Sequence, residues 1–152
     1  MKAVVTRVDS ARVTRAGTGE VLGEIGRGFL VLLGVHVDDT EKEAAKIADR
    51  ICGLRIFDDE NGVMNKSILN VNGDILVVSQ FTLFASYKKG NRPSYLRAGK
   101  HEITIPLYEN FCDSLAKAIG KPIQTGEFGA DMKVELVNDG PVTICMDTKN
   151  KE

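Results

Sequence analysis

The sequence predicts a single α+β domain, because strand-like and helix-like segments follow one another without repeats or a linker. Two apolar runs, 29–35 and 75–78, are continuous enough to be strands buried on both faces. Two other segments, 44–54 and 108–119, repeat apolar residues at helical spacing. A chain of 152 residues is long enough for one such core. We therefore predict one domain over residues 1–152, whose last few residues form a flexible tail.

The first part of the chain predicts a series of strands separated by glycines. Residues 3–8 alternate loosely between apolar and polar side chains, and residues 10–19 predict a second strand that ends in a glycine-containing turn. Residues 21–25 predict a third strand that pairs back on the second. The buried strand at 29–35 follows, so this region supplies much of the predicted sheet.

A capping box marks the start of the first helix. Thr40 and Glu43 are three residues apart, so the side chain of each can bind a free backbone amide of the first turn. The apolar face that follows consists of Ala44, Ile47, Ala48, Ile51 and Leu54. Residues 55–57 predict a short strand. The acidic turn at 58–62 lacks the spacing of a calcium loop, and we interpret it as a solvated turn.

The second half of the chain predicts a buried strand, a polar loop and a second helix. The strand at 74–80 is predicted to run on towards residue 83. Taken alone, this continuation would place Gln80 and Thr82 on the solvent-exposed face of the strand. A polar loop at 85–100 separates it from the helix. Pro106 is expected early in this helix, where a missing amide costs nothing.

A Gly-Pro step interrupts the last part of the chain. Strands are predicted at 132–137 and 142–146, and Gly140-Pro141 lies between them. Glycine loses the most backbone entropy on ordering and proline removes a donor, so this step is costly inside a strand. Taken alone, it predicts a hairpin turn.

Composition excludes several classes of protein. The formal net charge is −1, so any binding of nucleic acid needs a local basic patch. The charged, strand-like N-terminus is no signal peptide, and the longest apolar run is too short to span a bilayer, which predicts a soluble, cytoplasmic protein. Cys52, Cys112 and Cys145 are far apart and odd in number, which argues against a disulfide framework or a metal knuckle.

Conventional catalytic motifs are missing from the sequence. The chain contains only two histidines, His36 and His101, and Ser79 has no nucleophile-elbow pattern around it. Metalloprotease, CxxC, phosphate-loop and dinucleotide-binding patterns are not present either. We therefore expect no metal site and no cofactor.

The polar loop is strongly basic. No Asp or Glu occurs from residue 75 to residue 101, and Tyr87 and Tyr95 are interleaved with cations. The five cations are Lys88, Lys89, Arg92, Arg97 and Lys100. Cations bind phosphates and aromatic rings stack on unpaired bases. Composition alone is compatible with a solvated loop. The position of the loop directly after the polar strand end at 79–82 favours a substrate with a phosphate backbone.

Two motifs carry a resemblance to a known family. Ser79-Gln80-Phe81-Thr82-Leu83 ends the second buried strand, and Asn138-Asp139-Gly140-Pro141-Val142-Thr143 follows about sixty residues later. Further matching segments are 23–26, 30–35, 55–57, 64–65, 90–94 and 124–132. With these matches, which extend over nearly the whole chain, the sequence resembles the D-aminoacyl-tRNA deacylase family, the homodimeric kind once called D-tyrosyl-tRNA deacylase.

The resemblance implies a fold and an activity. The fold would be one compact domain with a mostly antiparallel, mixed β-sheet of barrel-like shape and two main helices, forming a homodimer with the active site at the interface. The enzyme would hydrolyse the ester between a D-amino acid and the 3′ end of tRNA, and would also tend to remove glycine mischarged onto tRNA for alanine. Its partners would be the acceptor end of tRNA and a second copy of the chain, with neither DNA nor a membrane.

The resemblance also implies roles for individual residues. The catalytic group, which orients the substrate partly through backbone amides while the tRNA 2′-hydroxyl assists the reaction, would be Ser79, Gln80, Phe81 and Thr82. The pocket would be supported by Arg7, Phe128, Gly129, Ala130, Met132 and Asn138. The Gly140-Pro141 bond would be cis and would enter the partner's pocket, where it leaves no room for an L side chain. The tRNA would be bound by the five cations of the basic loop.

Two other functions are compatible with the residues alone. A non-catalytic RNA-binding module using residues 88–100 would bind tRNA without chiral discrimination. An esterase with Ser79 or Thr82 as nucleophile would need a base, and none is identifiable near Thr82 in the sequence. Glu127 stands where many relatives carry a basic or neutral residue, so we expect a weaker local attraction for tRNA.

Overall fold

A computed structural model describes residues 1–151 of the chain. In chain order its elements are β1 (Lys2–Arg15), β2 (Val21–Ile25), β3 (Gly28–Gly34), α1 (Glu41–Gly53), β4 (Phe57–Asp58), β5 (Met64–Lys66), β6 (Asp74–Ser79), a 3₁₀ helix (Phe81–Phe84), α2 (His101–Ile119), β7 (Gln124–Thr125) and β8 (Met132–Asp147). The predicted α+β class with two main helices is confirmed. The predicted tail includes residue 152, which lies outside the described residues.

Strand β1 lies at the centre of the main sheet. One of its edges pairs antiparallel with β3 and then with β2, and its other edge pairs antiparallel with β8. Strand β3 pairs parallel with β6, and β6 pairs parallel with β7. Strand β2 approaches β7 so closely that a Cβ added to Gly23 would lie 2.6 Å from the carbonyl oxygen of Thr125. The mixed sheet therefore forms a nearly closed barrel, as predicted.

The hydrophobic core lies between the sheet and the two helices. Its largest fully buried side chains include Phe29 and Ile75 from the sheet, Ile51 from α1, and Phe111 and Leu115 from α2. The helices thus cover strands β3 and β6, which explains why these two strands are continuous apolar runs in the sequence.

The predicted capping box is present at the start of α1. The amide and hydroxyl of Thr40 both donate to the Glu43 carboxylate, each at 2.6 Å, and the Thr40 hydroxyl accepts from the amide of Lys42. These bonds to Thr40 lower the pKa of Glu43 to about 2. The carboxylate therefore stays ionised at neutral pH and complements the positive end of the helix dipole.

Two expectations about strand length are wrong. Residues 2–15 form one strand rather than two, because β1 changes partner from β3 to β2 without a break. Strand β6 stops at Ser79 instead of running on to residue 83. The amide of Gln80 still bonds the carbonyl of Leu33, but the amide of Leu83 turns back to the carbonyl of Gln80, which starts the 3₁₀ helix.

Two expectations about proline positions also need correction. Helix α2 begins at His101, so Pro106 lies in its second turn rather than at its start. The carbonyl that loses its partner belongs to the exposed residue Glu102, where water can replace the amide. Gly140-Pro141 lies inside strand β8 and does not form a hairpin turn, because the segments before and after it both pair with β1.

None of the helices described over residues 1–151 is both long enough and apolar enough to cross a membrane.

Candidate active site

The chain turns sharply where strand β6 ends. Residues 75–78 are buried, whereas Ser79 is half-buried and Phe81 is exposed. The amide of Gln80 donates to the carbonyl of Leu33 at 2.7 Å and is therefore not available to a ligand. Within the described chain, the amides of Phe81 and Thr82 donate to no carbonyl outside their own turn and to no side chain. Two backbone donors are therefore available beside Ser79.

Among the described residues, no general base forms a hydrogen bond to the hydroxyl of Thr82. Its Oγ1 accepts a hydrogen bond from the Gln80 side-chain amide, which cannot take up a proton. The ring of His36 contacts Phe84 and accepts from the amide of Asp38, while His101 packs against another ring. Neither imidazole forms a hydrogen bond to Ser79 or Thr82 anywhere in residues 1–151. The arrangement is not that of an activated nucleophile.

The loop at 126–130 lies beside the end of β6. Strand β7 pairs with β6 so that Thr125 is opposite Val77, and the amide of Gly126 donates to the Val77 carbonyl at 3.4 Å. The loop therefore starts level with Val77, two residues before the end of β6. A Cβ on Gly126 would lie 2.6 Å from the sulfur of Met132, so the missing side chain lets Met132 pack under the loop. Gly129 and Ala130 belong to the same turn.

Helix α2 supports this loop through aromatic contacts. The ring centroid of Phe128 lies 5.3 Å from that of His101 and 6.0 Å from that of Tyr108, both in edge-to-face geometry. The Tyr108 hydroxyl donates to the carbonyl of Val77 at 3.0 Å, and burial raises the pKa of Tyr108. Tyr108 thus ties the helix to both β6 and Phe128. The sequence predicted only an apolar helix position for it.

The Gly-Pro segment forms a bulge in the β1–β8 ladder. Thr6 pairs with Thr143 and Val8 pairs with Asn138, so residues 139–142 have no partners and project from the ladder. The Gly140–Pro141 peptide bond is cis. Asn138 closes the base of the bulge, because it accepts from the amide of Val142 at 2.8 Å and donates to the Thr143 hydroxyl at 3.0 Å.

Arg7 anchors the bulge from inside. Its side chain is only 8% exposed. The Nε donates to the carbonyl of Asp139 at 2.9 Å, and Nη1 donates to the carbonyl of Ile56 at 2.6 Å, with the Asp58 carboxylate at 3.4 Å. The family resemblance implied that Arg7 supports the pocket, but the sequence gave no signal for its contacts with Ile56 and Asp58. Arg7 therefore joins the bulge to the segment that leads into β4.

Arg7→Met is expected to lower the free energy of unfolding by about 2 kcal/mol, because the carbonyls of Ile56 and Asp139 lose a charged donor. Urea denaturation measures this change. Arg12→Met is the matched control, since Arg12 pairs with Glu135 on the exposed surface and its loss is expected to fall within experimental error. Equal losses in the two variants would contradict the anchoring role of Arg7.

One copy of the chain does not bring the two motifs together. Ser79 is opposite Leu33 on β3, which is opposite Ala3 on β1, whereas the Gly140 bulge lies beside Arg7. Ser79 and the bulge are therefore three strands apart across the sheet and four residues apart along the strands. At normal strand spacing this separation is roughly 15–20 Å. The Ser79 side of the site and the Gly140 bulge are two distinct surfaces of a protomer.

The basic loop borders the Ser79 side of the site. Ser86 and Ser94 exchange backbone hydrogen bonds at 2.8 and 2.9 Å, which hold the base of the loop. All five cations of the loop are exposed, and Arg97 donates to the carbonyl of Ala85. In the part of the chain that the structure describes, none of the five forms a salt bridge. Their charge is therefore available to an external anion.

The negative charge of Glu127 is partly compensated within the chain. Its carboxylate pairs with Arg15, which also binds Glu20 at 3.1 Å. Because Arg15 is shared between the two glutamates, the three side chains keep one net negative charge, and the field of Glu127 is only partly offset. Over residues 1–151, no three His, Cys, Asp or Glu side chains converge to form a metal-binding group.

Comparisons with known sequences agree on one family. The family described as D-Tyr-tRNA(Tyr) deacylase matches residues 4–147. The D-aminoacyl-tRNA deacylases of Phocaeicola vulgatus and Bacteroides thetaiotaomicron are each 60% identical to this chain over 152 residues, and each alignment covers 100% of both proteins. The D-aminoacyl-tRNA deacylase of Flavobacterium johnsoniae is 55% identical over the same length, again with full coverage of both proteins.

Two solved structures share the fold of this chain. A "c-Myc DNA Unwinding Element Binding Protein" is 43% identical to this chain and superimposes with a TM-score of 0.89, covering 97% of this chain and 99% of that one. A "probable eukaryotic D-amino acid tRNA deacylase" has a TM-score of 0.82 over 95% of this chain and 97% of its own, and at 17% identity it supports the fold alone. This chain belongs to the D-Tyr-tRNA(Tyr) deacylase family.

Proposed function

We propose that this protein hydrolyses the ester that joins a D-amino acid to the 3′ end of tRNA, releasing the free amino acid and tRNA. The observation that carries the proposal is the family match over residues 4–147, which includes both motifs. The described geometry supports it, because the Ser79 strand end, the 126–130 loop and the basic loop lie together on one side of the protomer. A cytoplasmic location belongs to the same proposal.

The chemistry relies on positioning rather than on a protein nucleophile. An aminoacyl ester is already activated, so polarising its carbonyl and placing a water molecule suffice. The amides of Phe81 and Thr82 are available to receive the carbonyl oxygen. Water adds to the carbonyl carbon, the bond to the ribose 3′-oxygen breaks, and the terminal 2′-hydroxyl relays the proton from the water to that oxygen. Ser79 and Gln80 orient the ester.

Selection against L-amino acids requires a second copy of the chain. The Gly140-Pro141 bulge is exposed and lies roughly 15–20 Å from Ser79 in its own protomer, so only a partner's bulge can reach the pocket. Once there, its backbone occupies the space that an L side chain needs. A D side chain points away from the bulge, and glycine has no side chain to exclude. Glycyl-tRNA for alanine is therefore a second substrate in this proposal.

Strand β8 offers the surface on which such a dimer would form. Its outer edge is unpaired in the protomer, since β8 pairs only with β1 among the described strands. Val134, Leu136 and Val137 are exposed along it. A strand of 16 residues with an unpaired edge and exposed apolar side chains tends to associate with another chain. Dimerisation would cover this surface and hold the Gly140 bulge of each copy in the pocket of its partner.

The purified protein is expected to deacylate D-tyrosyl-tRNA and glycyl-tRNA for alanine while leaving L-tyrosyl-tRNA intact. Release of amino acid from the three substrates measures the activity, and light scattering after size exclusion measures the native mass, which is expected to be that of a dimer. Persistence of D-tyrosyl-tRNA would refute the deacylase proposal. Chiral deacylation by a monomer would refute only the contribution of the partner's bulge.

A further inference from the structure

The basic loop exposes large apolar side chains that the proposed chemistry does not use. Tyr87 is 81% exposed and Leu96 is 89% exposed, and Phe81 and Tyr95 at its edge are 54% and 40% exposed. Exposing several such side chains in one region costs hydrophobic free energy unless the surface binds something. A purely solvated basic loop would not need them.

Two of these side chains, Phe81 and Tyr95, hold each other in a defined arrangement. The rings of Phe81 and Tyr95 meet edge to face with centroids 5.1 Å apart, so the loop is attached to the start of the 3₁₀ helix beside Ser79. Tyr87 and Tyr95 directly follow the bridged residues Ser86 and Ser94. The bridge therefore holds the backbone next to both tyrosines in place. The Phe81–Tyr95 pair is a preformed aromatic contact, and Tyr87 extends from the same bridged backbone with its ring exposed.

The charge around the rings identifies the occupant. The five cations are free of salt bridges in the described chain, and no acidic residue occurs from 75 to 101. A second copy presenting the same loop would be repelled by this charge. A nucleic acid strand is attracted by it, and an unpaired strand also offers base faces that stack on aromatic rings. A paired stem hides those faces.

We propose that Tyr87, Tyr95 and Leu96 bind the unpaired nucleotides that precede the aminoacylated 3′ end of tRNA, with the neighbouring cations on their phosphates. This inference rests on the proposed function, because the loop adjoins the site at which that ester would be cleaved. Binding of the tRNA would then have two contributions. Stacking reads the unpaired tail and depends little on salt, whereas the cations add binding that falls steeply as salt rises.

Binding of two unacylated RNA hairpins tests the inference without any hydrolysis. One hairpin carries a four-nucleotide unpaired 3′ tail and the other is blunt, and fluorescence anisotropy gives the affinity of each over a range of salt concentrations. The wild-type protein is expected to bind the tailed hairpin at least about tenfold more tightly. Tyr87→Ala is expected to weaken binding of the tailed hairpin roughly 5- to 100-fold and to leave the blunt one unaffected.

Matched variants separate stacking from charge and from folding. Tyr87→Phe keeps the ring and is expected to bind like the wild type. Replacement of Lys88 and Lys89 by Ala is expected to weaken binding of both hairpins and to reduce the salt dependence. Equal affinity of the wild type for the two hairpins, or a Tyr87→Ala variant that keeps the preference for the tail, would overturn the inference. Failure of deacylation with an intact tail preference would instead refute the proposed function.

Discussion

Removal of the terminal 2′-hydroxyl from D-tyrosyl-tRNA is expected to slow its hydrolysis by about 10²- to 10⁴-fold, the usual contribution of a positioned proton-transfer group. The reason is that, within residues 1–151, neither histidine forms a hydrogen bond to Ser79 or Thr82, beside which the ester is proposed to bind. The hydroxyl of Thr82 accepts from the Gln80 amide, and His36 and His101 pack against Phe84 and Phe128. Single-turnover rates with tRNA ending in 2′-deoxyadenosine measure the effect. Competition against intact substrate checks that binding is preserved.

Thr82→Val is the companion variant, because valine keeps the shape of threonine and removes its hydroxyl. If the tRNA supplies the 2′-hydroxyl that relays the proton, this variant is expected to lose less than about tenfold in rate. An esterase with a Thr82 nucleophile would give the reverse pattern, with the 2′-deoxy substrate cleaved normally and Thr82→Val inactive. The two results together distinguish substrate-assisted hydrolysis from covalent catalysis by the protein.

Local chemistry explains which parts of the fold the sequence predicted. The capping box at Thr40 and the helical period after it depend on neighbouring residues, and helix α1 is found where these signals place it. Strands β3 and β6 were recognisable because burial on both faces demands an unbroken apolar run. Each of these signals is contained within one element.

The remaining features depend on contacts between distant segments. The Gly140 bulge looked like a hairpin turn because the sequence does not reveal that both halves of β8 pair with β1. The two backbone carbonyls bound by Arg7 carry no side-chain signature, so the Ile56 contact could not be predicted. The separation between Ser79 and the bulge follows from strand register, which is set by tertiary packing. The residues alone therefore indicated the two motifs, whereas their placement on separate surfaces was implied only by the family resemblance.

Gly140→Ala is expected to lower kcat/KM for D-tyrosyl-tRNA at least about tenfold, because small displacements of a positioning segment are costly in catalysis. Gly140 has a φ of +136°, which L side chains rarely adopt. An added Cβ would lie 2.7 Å from Cγ2 of Val142 and 3.2 Å from Nη2 of Arg7. Arg7 is held by carbonyls on two sides, so the bulge rather than the arginine must move.

Gly17→Ala is the control for backbone strain, because it adds a side chain at a positive φ without displacing the Gly140 bulge. Gly17 also has a positive φ, +86°, but no atom of the residues that the structure describes lies within 4 Å of its added Cβ. This control is expected to lose about 1 kcal/mol of unfolding free energy and to keep wild-type activity and selectivity. Gly140→Ala is expected to lose stability too, but its distinguishing result is the fall in the D-to-L rate ratio in a variant that is still folded. A folded Gly140→Ala protein with the wild-type rate and ratio would mean that the bulge does not contact the substrate, and the basis of chiral selection would then have to lie on the Ser79 side of the pocket.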